Sequence, residues 1–215
     1  MPPPTHSTDQ LIAALAASAA PVRRLRPPMI RALFWLIAVA AVAAVILPFF
    51  ADMTILSAHL QDWKYRIEMA ATLLTGIAAV VAAFHLSLPD RSTAWAWLPV
   101  PFLALWLGSS GYNCWRDWIE TGAHGWQFGE SAVCFGVIVG FSIPLGAAQL
   151  IVLARAKPMM PGRVAAMGGL GIAGIAAFFL AFNHAPDASF LDLGWHAVAV
   201  GLVVAVTSAV GRLRT

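Results

Sequence analysis

Charged residues are scarce in this chain: they make up 11% of its 215 residues, against about 25% in a typical soluble domain. Hydrophobic residues make up 60%, and the mean hydropathy is +0.78. This balance excludes a disordered chain and most soluble folds. The net charge of +3 comes from basic residues scattered between hydrophobic blocks, which does not indicate direct nucleic-acid binding. The composition predicts a membrane protein.

The motifs of common enzymes and cofactor-binding proteins are also missing. There is no P-loop, no HExxH and no CxxC. Transporters and proton pumps usually place ionisable groups at the middle of the membrane, whereas Glu68, Glu130 and His196 lie near span ends without an evident partner. We therefore expect a protein that is not an enzyme and holds no cofactor. A small transporter and a membrane thiol oxidoreductase remain the alternatives.

Six apolar blocks are each long enough for a membrane helix, which needs about 20 apolar residues. Their apolar runs are continuous rather than alternating, which excludes membrane strands. The blocks lie near residues 32–50, 69–88, 94–112, 131–153, 164–182 and 193–210. The sequence thus predicts an all-α fold, with six transmembrane helices in one bundle over residues 31–215 and a cytoplasmic N-terminal segment over residues 1–30.

The distribution of lysine and arginine predicts the orientation of the bundle. With the N-terminus in the cytoplasm, ten basic residues lie inside and three outside, in agreement with the positive-inside rule. The outer three are Lys64, Arg66 and Arg116. We therefore expect both termini to be cytoplasmic.

Small residues recur at helical spacing in two of the blocks. The fifth block repeats them every four residues, at Ala165, Gly169, Ala173 and Ala177, and the fourth contains the GxxxG of Gly136 and Gly140. Small residues at this spacing let helix backbones approach closely. The pattern predicts helix contacts within the bundle and also permits a homodimer.

The N-terminal segment carries a second, shorter pattern. Ser7 and Gln10 match a capping box, which predicts a helix over residues 8–20. Its apolar side consists of Leu11, Ile12 and Leu15. A helix this short is marginally stable alone in water, so it either docks its apolar side in a partner's groove or belongs to a solvated tail.

A basic stem over residues 21–31 follows this helix. It is rich in arginine and proline, and its basic residues include Arg23, Arg24 and Arg26. Such a stiff, positively charged segment is typical of chains that meet anionic lipid at the membrane surface.

The two cysteines are predicted to lie at the same outer face. Cys114 falls at the end of the third block and Cys134 in the first turn of the fourth, with nineteen residues between them. If the two helices are neighbours, a disulfide is feasible. The thiols are also soft metal ligands, and four residues nearby could help to hold an ion: Asp117, Glu120, His124 and Glu130. The third alternative is two independent buried cysteines.

Several short motifs, taken together, resemble those of the NrsF-type anti-sigma factors. The resemblance covers nearly the whole chain and rests on the order and spacing of these motifs. They are the stem at 21–28 after Asp9-Gln10-Leu11-Ile12, the loop at 88–92, Gly111-Tyr112-Asn113-Cys114 with Asp117-Trp118, the segment 131–134, and the segment 187–196.

The resemblance implies a six-helix protein of the bacterial inner membrane. It implies that the chain sequesters an extracytoplasmic-function sigma factor on the cytoplasmic side. It also implies that the two cysteines, here Cys114 and Cys134, take part in sensing heavy-metal or oxidative stress, after which the sigma factor is released. The partner-binding residues are then expected around Leu11, Ile12 and Leu15, with help from the inner loops at 89–93 and 154–163.

Overall fold

The computed structural model describes residues 7–19, 24–122, 128–182 and 190–213. All regular elements in these ranges are helical, and they are joined by short turns. They are α1 (Thr8–Ser18), α2 (Pro28–Phe50), α3 (Met53–Gln61), α4 (Trp63–Leu86), a 3₁₀ helix (Thr93–Trp97), α5 (Val100–Thr121), α6 (Phe128–Ala154), α7 (Pro161–Leu180) and α8 (Phe190–Leu213). The all-α prediction is confirmed for the described part of the chain.

Five of these helices are long and apolar enough to cross a membrane, namely α2, α4, α6, α7 and α8. They coincide with all the predicted blocks except the third. That block begins in the 3₁₀ helix and continues as α5, whose C-terminal half carries polar residues such as Ser110, Asn113 and Arg116. A sixth crossing therefore stays a prediction. The short helix α3 lies in a segment for which no helix was predicted.

Helix α7 lies at the centre of the bundle, where it packs against α4, α6 and α8. Its contact with α4 is close because glycines face each other across it. A Cβ atom added to Gly171 would come within 2.9 Å of the main-chain nitrogen of Val80, and one added to Gly174 within 3.0 Å of the Cα of Gly76. Only glycine allows the two backbones to approach this closely.

The two small-residue patterns have different roles. In α7, Ala165 and Gly169 face α8, because a Cβ added to Gly211 would meet Ala165 and one added to Gly169 would meet Thr207. In α6, a Cβ added to Gly136 or Gly140 would meet no atom within 4 Å. The prediction of helix contacts is thus confirmed for α7, whereas the GxxxG of α6 makes no close contact in the described part of the chain.

One end of the bundle gathers several basic residues, and we call it the basic end. Here Arg31 in the first turn of α2 reaches the final turn of α6 and Ser87 after α4, while Arg212 near the end of α8 lies against Gly162 at the start of α7. At the opposite end the main-chain nitrogen of Asp52 donates to the oxygen of Phe182, 3.0 Å away. Consecutive long helices therefore run in alternating directions, and α6 and α8, which pack against each other, run parallel.

Helix α2 lies at the edge of the bundle. One stripe of it is buried, formed by Ala32, Trp35 and Val39, and this stripe packs into the hydrophobic cluster around Phe84 of α4. The rest of α2 is mostly exposed. Because the contact is a single stripe, α2 is joined to the core through few side chains, and Arg31 is one of them.

Candidate functional site

The carboxylate of Glu68 is the centre of a polar cluster between α4 and α5. It accepts a hydrogen bond from Ser110 Oγ at 2.6 Å and another from Asn113 Nδ2 at 2.8 Å. Ser110 and Asn113 are both buried. The expectation that Glu68 has no partner near its span end is therefore wrong. Its partners belong to α5, which is not one of the five helices that are apolar enough to cross a membrane.

A cavity of about 90 Å³ lies beside this cluster, between α4, α5, α7 and α8. Cys114 lines it, together with Glu68, Asp192 and His196. Asp192 is 7% exposed, and its main-chain oxygen lies 2.7 Å from Nδ1 of His196. The cavity thus combines a thiol, an imidazole and two carboxyl groups, which are the ligand types that bind transition metals.

Both cysteines are buried thiols, each 1% exposed, and they are not joined in a disulfide. Cys134 belongs to a hydrophobic cluster that includes Trp106, Ala177 and Leu180, and these three residues also line the cavity at Cys114. The two cysteines therefore lie in the same region of the bundle. Along their length α5 packs mainly against α4 and α8, and α6 against α7 and α8, while Trp106 of α5 joins the cluster of Cys134. A disulfide between the two cysteines therefore stays a prediction.

The four predicted metal helpers do not complete a site in the described residues. Glu120 is exposed and lies 3.4 Å from Arg116, with which it forms a surface ion pair. The side chains of Asp117 and Glu130 and the whole of His124 lie outside the described residues. Among the side chains that the structure describes, no three His, Cys, Asp or Glu are grouped so that they could hold a metal ion.

Helix α1 has the predicted capping box. The main-chain nitrogen of Gln10 donates to Ser7 Oγ at 3.3 Å, and that of Ser7 donates to Gln10 Oε1 at 3.2 Å. The helix ends at Ser18, two residues before the predicted end. Its apolar side chains are all exposed: Leu11 by 54%, Ile12 by 59% and Leu15 by 61%. The helix thus presents an apolar side that nothing in the described chain covers.

The basic stem is described only from Arg24 onward, and Arg23 lies outside the described residues. Arg24 and Arg26 are exposed. The guanidinium carbon of Arg26 lies 5.3 Å from the centre of the Phe34 ring, in a cation–π contact with the second turn of α2. The stem therefore begins to pack on α2 before the helix enters the bundle.

Sequence reasoning missed the polar side chains near Cys114, although a signal for them is present. Ser110, Asn113 and Cys114 are spaced at i, i+3 and i+4, which places them on one face of a helix. A polar face on an otherwise apolar helix predicts a buried polar partner, which here is Glu68. Asp192 and His196 are spaced at i and i+4 and so share a face of α8 in the same way.

Comparison with known families gives one clear result for this chain. The family model described as NrsF, negative regulator of sigma F, matches residues 15–214. The match includes both cysteines and the residues of the cavity, and it begins at Leu15 of α1. No curated protein and no solved structure gives a significant match.

Proposed function

The chain belongs to the NrsF family and is a negative regulator of a sigma factor, and from this premise we propose how it acts. The chain crosses the bacterial inner membrane six times, with both termini in the cytoplasm. It sequesters an extracytoplasmic-function sigma factor and releases it when heavy-metal or oxidative stress acts on Cys114 and Cys134. This role is one of binding and signalling, and it requires no catalysis.

The exposed apolar side of α1 is the observation that carries this proposal. Leu11, Ile12 and Leu15 are each more than half exposed on a helix that is capped at its N-terminus. An amphipathic helix of this kind binds by inserting its apolar side chains in a groove of its partner. The loops at 89–93 and 154–163 lie at the basic end and supply further contacts to the sigma factor.

Helix α4 offers a route between the thiols and the partner-binding end. Near its start it holds Glu68 in the polar cluster beside Cys114, and just after its end Ser87 lies 3.5 Å from Arg31 Nη1. Arg31 belongs to the first turn of α2, which follows the stem and α1. A shift of α4 at the cavity therefore reaches the attachment of the partner-binding segment through two polar contacts.

The stress signal acts by breaking the resting arrangement of the cavity. A soft metal ion that binds the Cys114 thiolate displaces the adjoining turn of α5, which carries Ser110 and Asn113, and so weakens their hydrogen bonds to Glu68. Oxidation of the Cys114 thiol by hydrogen peroxide gives a sulfenic acid and water, and it adds a polar hydroxyl group beside the Glu68 cluster. To change the released fraction from 1% to 99%, the event must favour the releasing state by roughly 5.5 kcal/mol.

Sigma-factor binding is tested by capture from membranes. The full chain with L11A, I12A and L15A is compared with the wild type and with a control that carries A13S and A17S on the opposite side of α1. We expect the triple variant to lose most of the captured sigma factor and the control to retain it. Unchanged capture by the triple variant would contradict a role of α1 and move the binding site to the loops at the basic end.

The sensing step is tested by release of the captured sigma factor. Membranes that hold the complex are treated with a cadmium salt or with hydrogen peroxide, and the released sigma factor is measured. We expect release from the wild type and none from C114S or from the C114S/C134S double variant. Stress-induced release that persists in the double variant would refute sensing by the cysteines while leaving sigma-factor binding intact.

A further inference from the structure

A second cavity, a groove of about 520 Å³, opens on the side of the bundle at the basic end. It lies between the loop that follows α4 and the first half of α7, and Val204 of α8 contributes to its floor. Arg91 and Arg163 stand at the groove, which we call the Arg91/Arg163 groove. It shares no residue with the cavity at Cys114.

The long wall of this groove is one face of α7. Arg163, Ala166, Met167 and Leu170 line it and are spaced at i, i+3, i+4 and i+7. Leu170 lies seven residues beyond Arg163, so this wall extends about 10 Å along the helix. Both α7 and α8 are apolar enough to cross a membrane. A wall formed by such helices is suited to contact with lipid chains.

The charge at the groove is positive. Arg91 has Asp90 at 3.6 Å, but both side chains are well exposed, so the pair is weak. Arg163 donates from Nη1 to the sulfur of Met160 at 3.4 Å, and no carboxylate among the described residues forms a salt bridge with it. Two guanidinium groups next to an apolar groove are complementary to a molecule with a negatively charged head group and apolar chains.

We propose that the Arg91/Arg163 groove binds an anionic phospholipid. Its phosphate lies at Arg91 and Arg163, since guanidinium groups bind phosphate oxygens in pairs of hydrogen bonds. One acyl chain follows the apolar wall past Met167 and Leu170 to Val204. A water-soluble partner helix fits this site less well, because the wall belongs to helices with the length and composition of membrane spans. This inference requires only the membrane character of the chain, and it gives Arg91 and Arg163 a lipid ligand within the two loops that we propose as further contacts of the sigma factor.

The test measures lipid retained by the purified full-length chain in detergent, by native mass spectrometry, with phosphatidylglycerol and phosphatidylcholine as the two probes. We expect the wild type to retain phosphatidylglycerol in preference. Because each basic residue near a membrane surface contributes about 1 kcal/mol, R91Q and R163Q should each weaken retention about five-fold. The matched control is R66Q, since Arg66 is exposed and lies near the start of α4, at the other end of the bundle.

A second variant tests the apolar part of the groove. A166W places a large ring in the Arg91/Arg163 groove and should reduce the retention of phosphatidylglycerol. The helicity of the chain, measured by circular dichroism, should stay unchanged. Equal retention of the two lipids by the wild type, or unchanged retention by the R91Q/R163Q double variant, would overturn the proposal. So would an A166W chain that retains phosphatidylglycerol but no longer captures the sigma factor, because the groove would then belong to the protein partner.

Discussion

The guanidinium of Arg31 donates from Nη2 to the main-chain oxygen of Val152, 2.9 Å away, and so joins the first turn of α2 to the final turn of α6. Its carbon also lies 5.2 Å from the centre of the Phe84 ring of α4. Carbonyl oxygens in the last turn of a helix have no partner within that helix and carry partial negative charge. A cation at this position therefore satisfies an acceptor and stabilises the helix end.

Replacing Arg31 by Gln should destabilise the bundle by about 2 kcal/mol, because a charged hydrogen bond and a cation–π contact are lost together. For a chain of this size that corresponds to a fall of roughly 4–8 °C in Tm, measured by circular dichroism in detergent. R24Q is the control, since Arg24 is an exposed residue of the stem. Equal effects of the two substitutions would show that Arg31 does not hold α2 to the core.

The Glu68 cluster predicts a clear difference between two glutamates. E68A leaves the Ser110 hydroxyl and the Asn113 amide without their acceptor in a buried site, so we expect a loss of about 1–3 kcal/mol in the free energy of unfolding. E120A removes only an exposed ion pair with Arg116 and should cost less than about 0.5 kcal/mol. Thermal unfolding of both variants compares the two losses, and a larger loss for E120A would contradict the cluster.

Two glycine substitutions should have opposite signs. G171A places a methyl group 2.8 Å from Val80 Cγ2 and 2.9 Å from its nitrogen, so α4 and α7 must separate, at a cost of about 1–3 kcal/mol or more. G140A meets no atom within 4 Å and replaces a poor helix former, so it should be neutral or stabilise by up to about 1 kcal/mol. Thermal unfolding measures both changes. A destabilised G140A chain, accompanied by loss of a dimer in sedimentation, would show that α6 uses its GxxxG between copies.

The burial of the thiols predicts that they are protected from reagents. With 1% exposure, Cys114 and Cys134 should react with a maleimide only when the bundle opens. We expect labelling at least about a hundred-fold slower in folded chains than in denatured ones, followed by mass spectrometry of each cysteine. Rapid labelling of either thiol in the folded chain would place it at an accessible surface.

The helices could be located from local composition because a membrane span needs only a run of apolar residues of sufficient length. Five of the six predicted blocks coincide with apolar helices, and the capping box at Ser7 and Gln10 is present as expected. The third block differs because α5 combines apolar residues with a polar face. A count of apolar residues does not distinguish such a helix from a span that is apolar all round.

The residues that surround the two cysteines could not be predicted from local sequence. The approximate location of Cys114 and Cys134 in one region of the bundle follows from the order of the blocks, since alternating helices bring corresponding ends together. Their surroundings do not follow from it. The cavity also contains Glu68, Asp192 and His196, which lie 42 or more residues from Ser110 in the sequence and belong to other helices. Only the arrangement of α4, α5 and α8 brings them to one cavity.

Composition and periodicity alone were therefore enough to establish an all-helical membrane chain with a capped amphipathic helix at its start. The choice of neighbours depended on long-range packing: the glycines that let α4 approach α7, the partners of Glu68, and the contact of Arg31 with α6. The physical reason is that apolar residues contact lipid or another helix with similar ease, so hydrophobicity locates a span without selecting its partner. That selection requires close backbone approach and satisfied polar groups, which arise only when the helices are assembled.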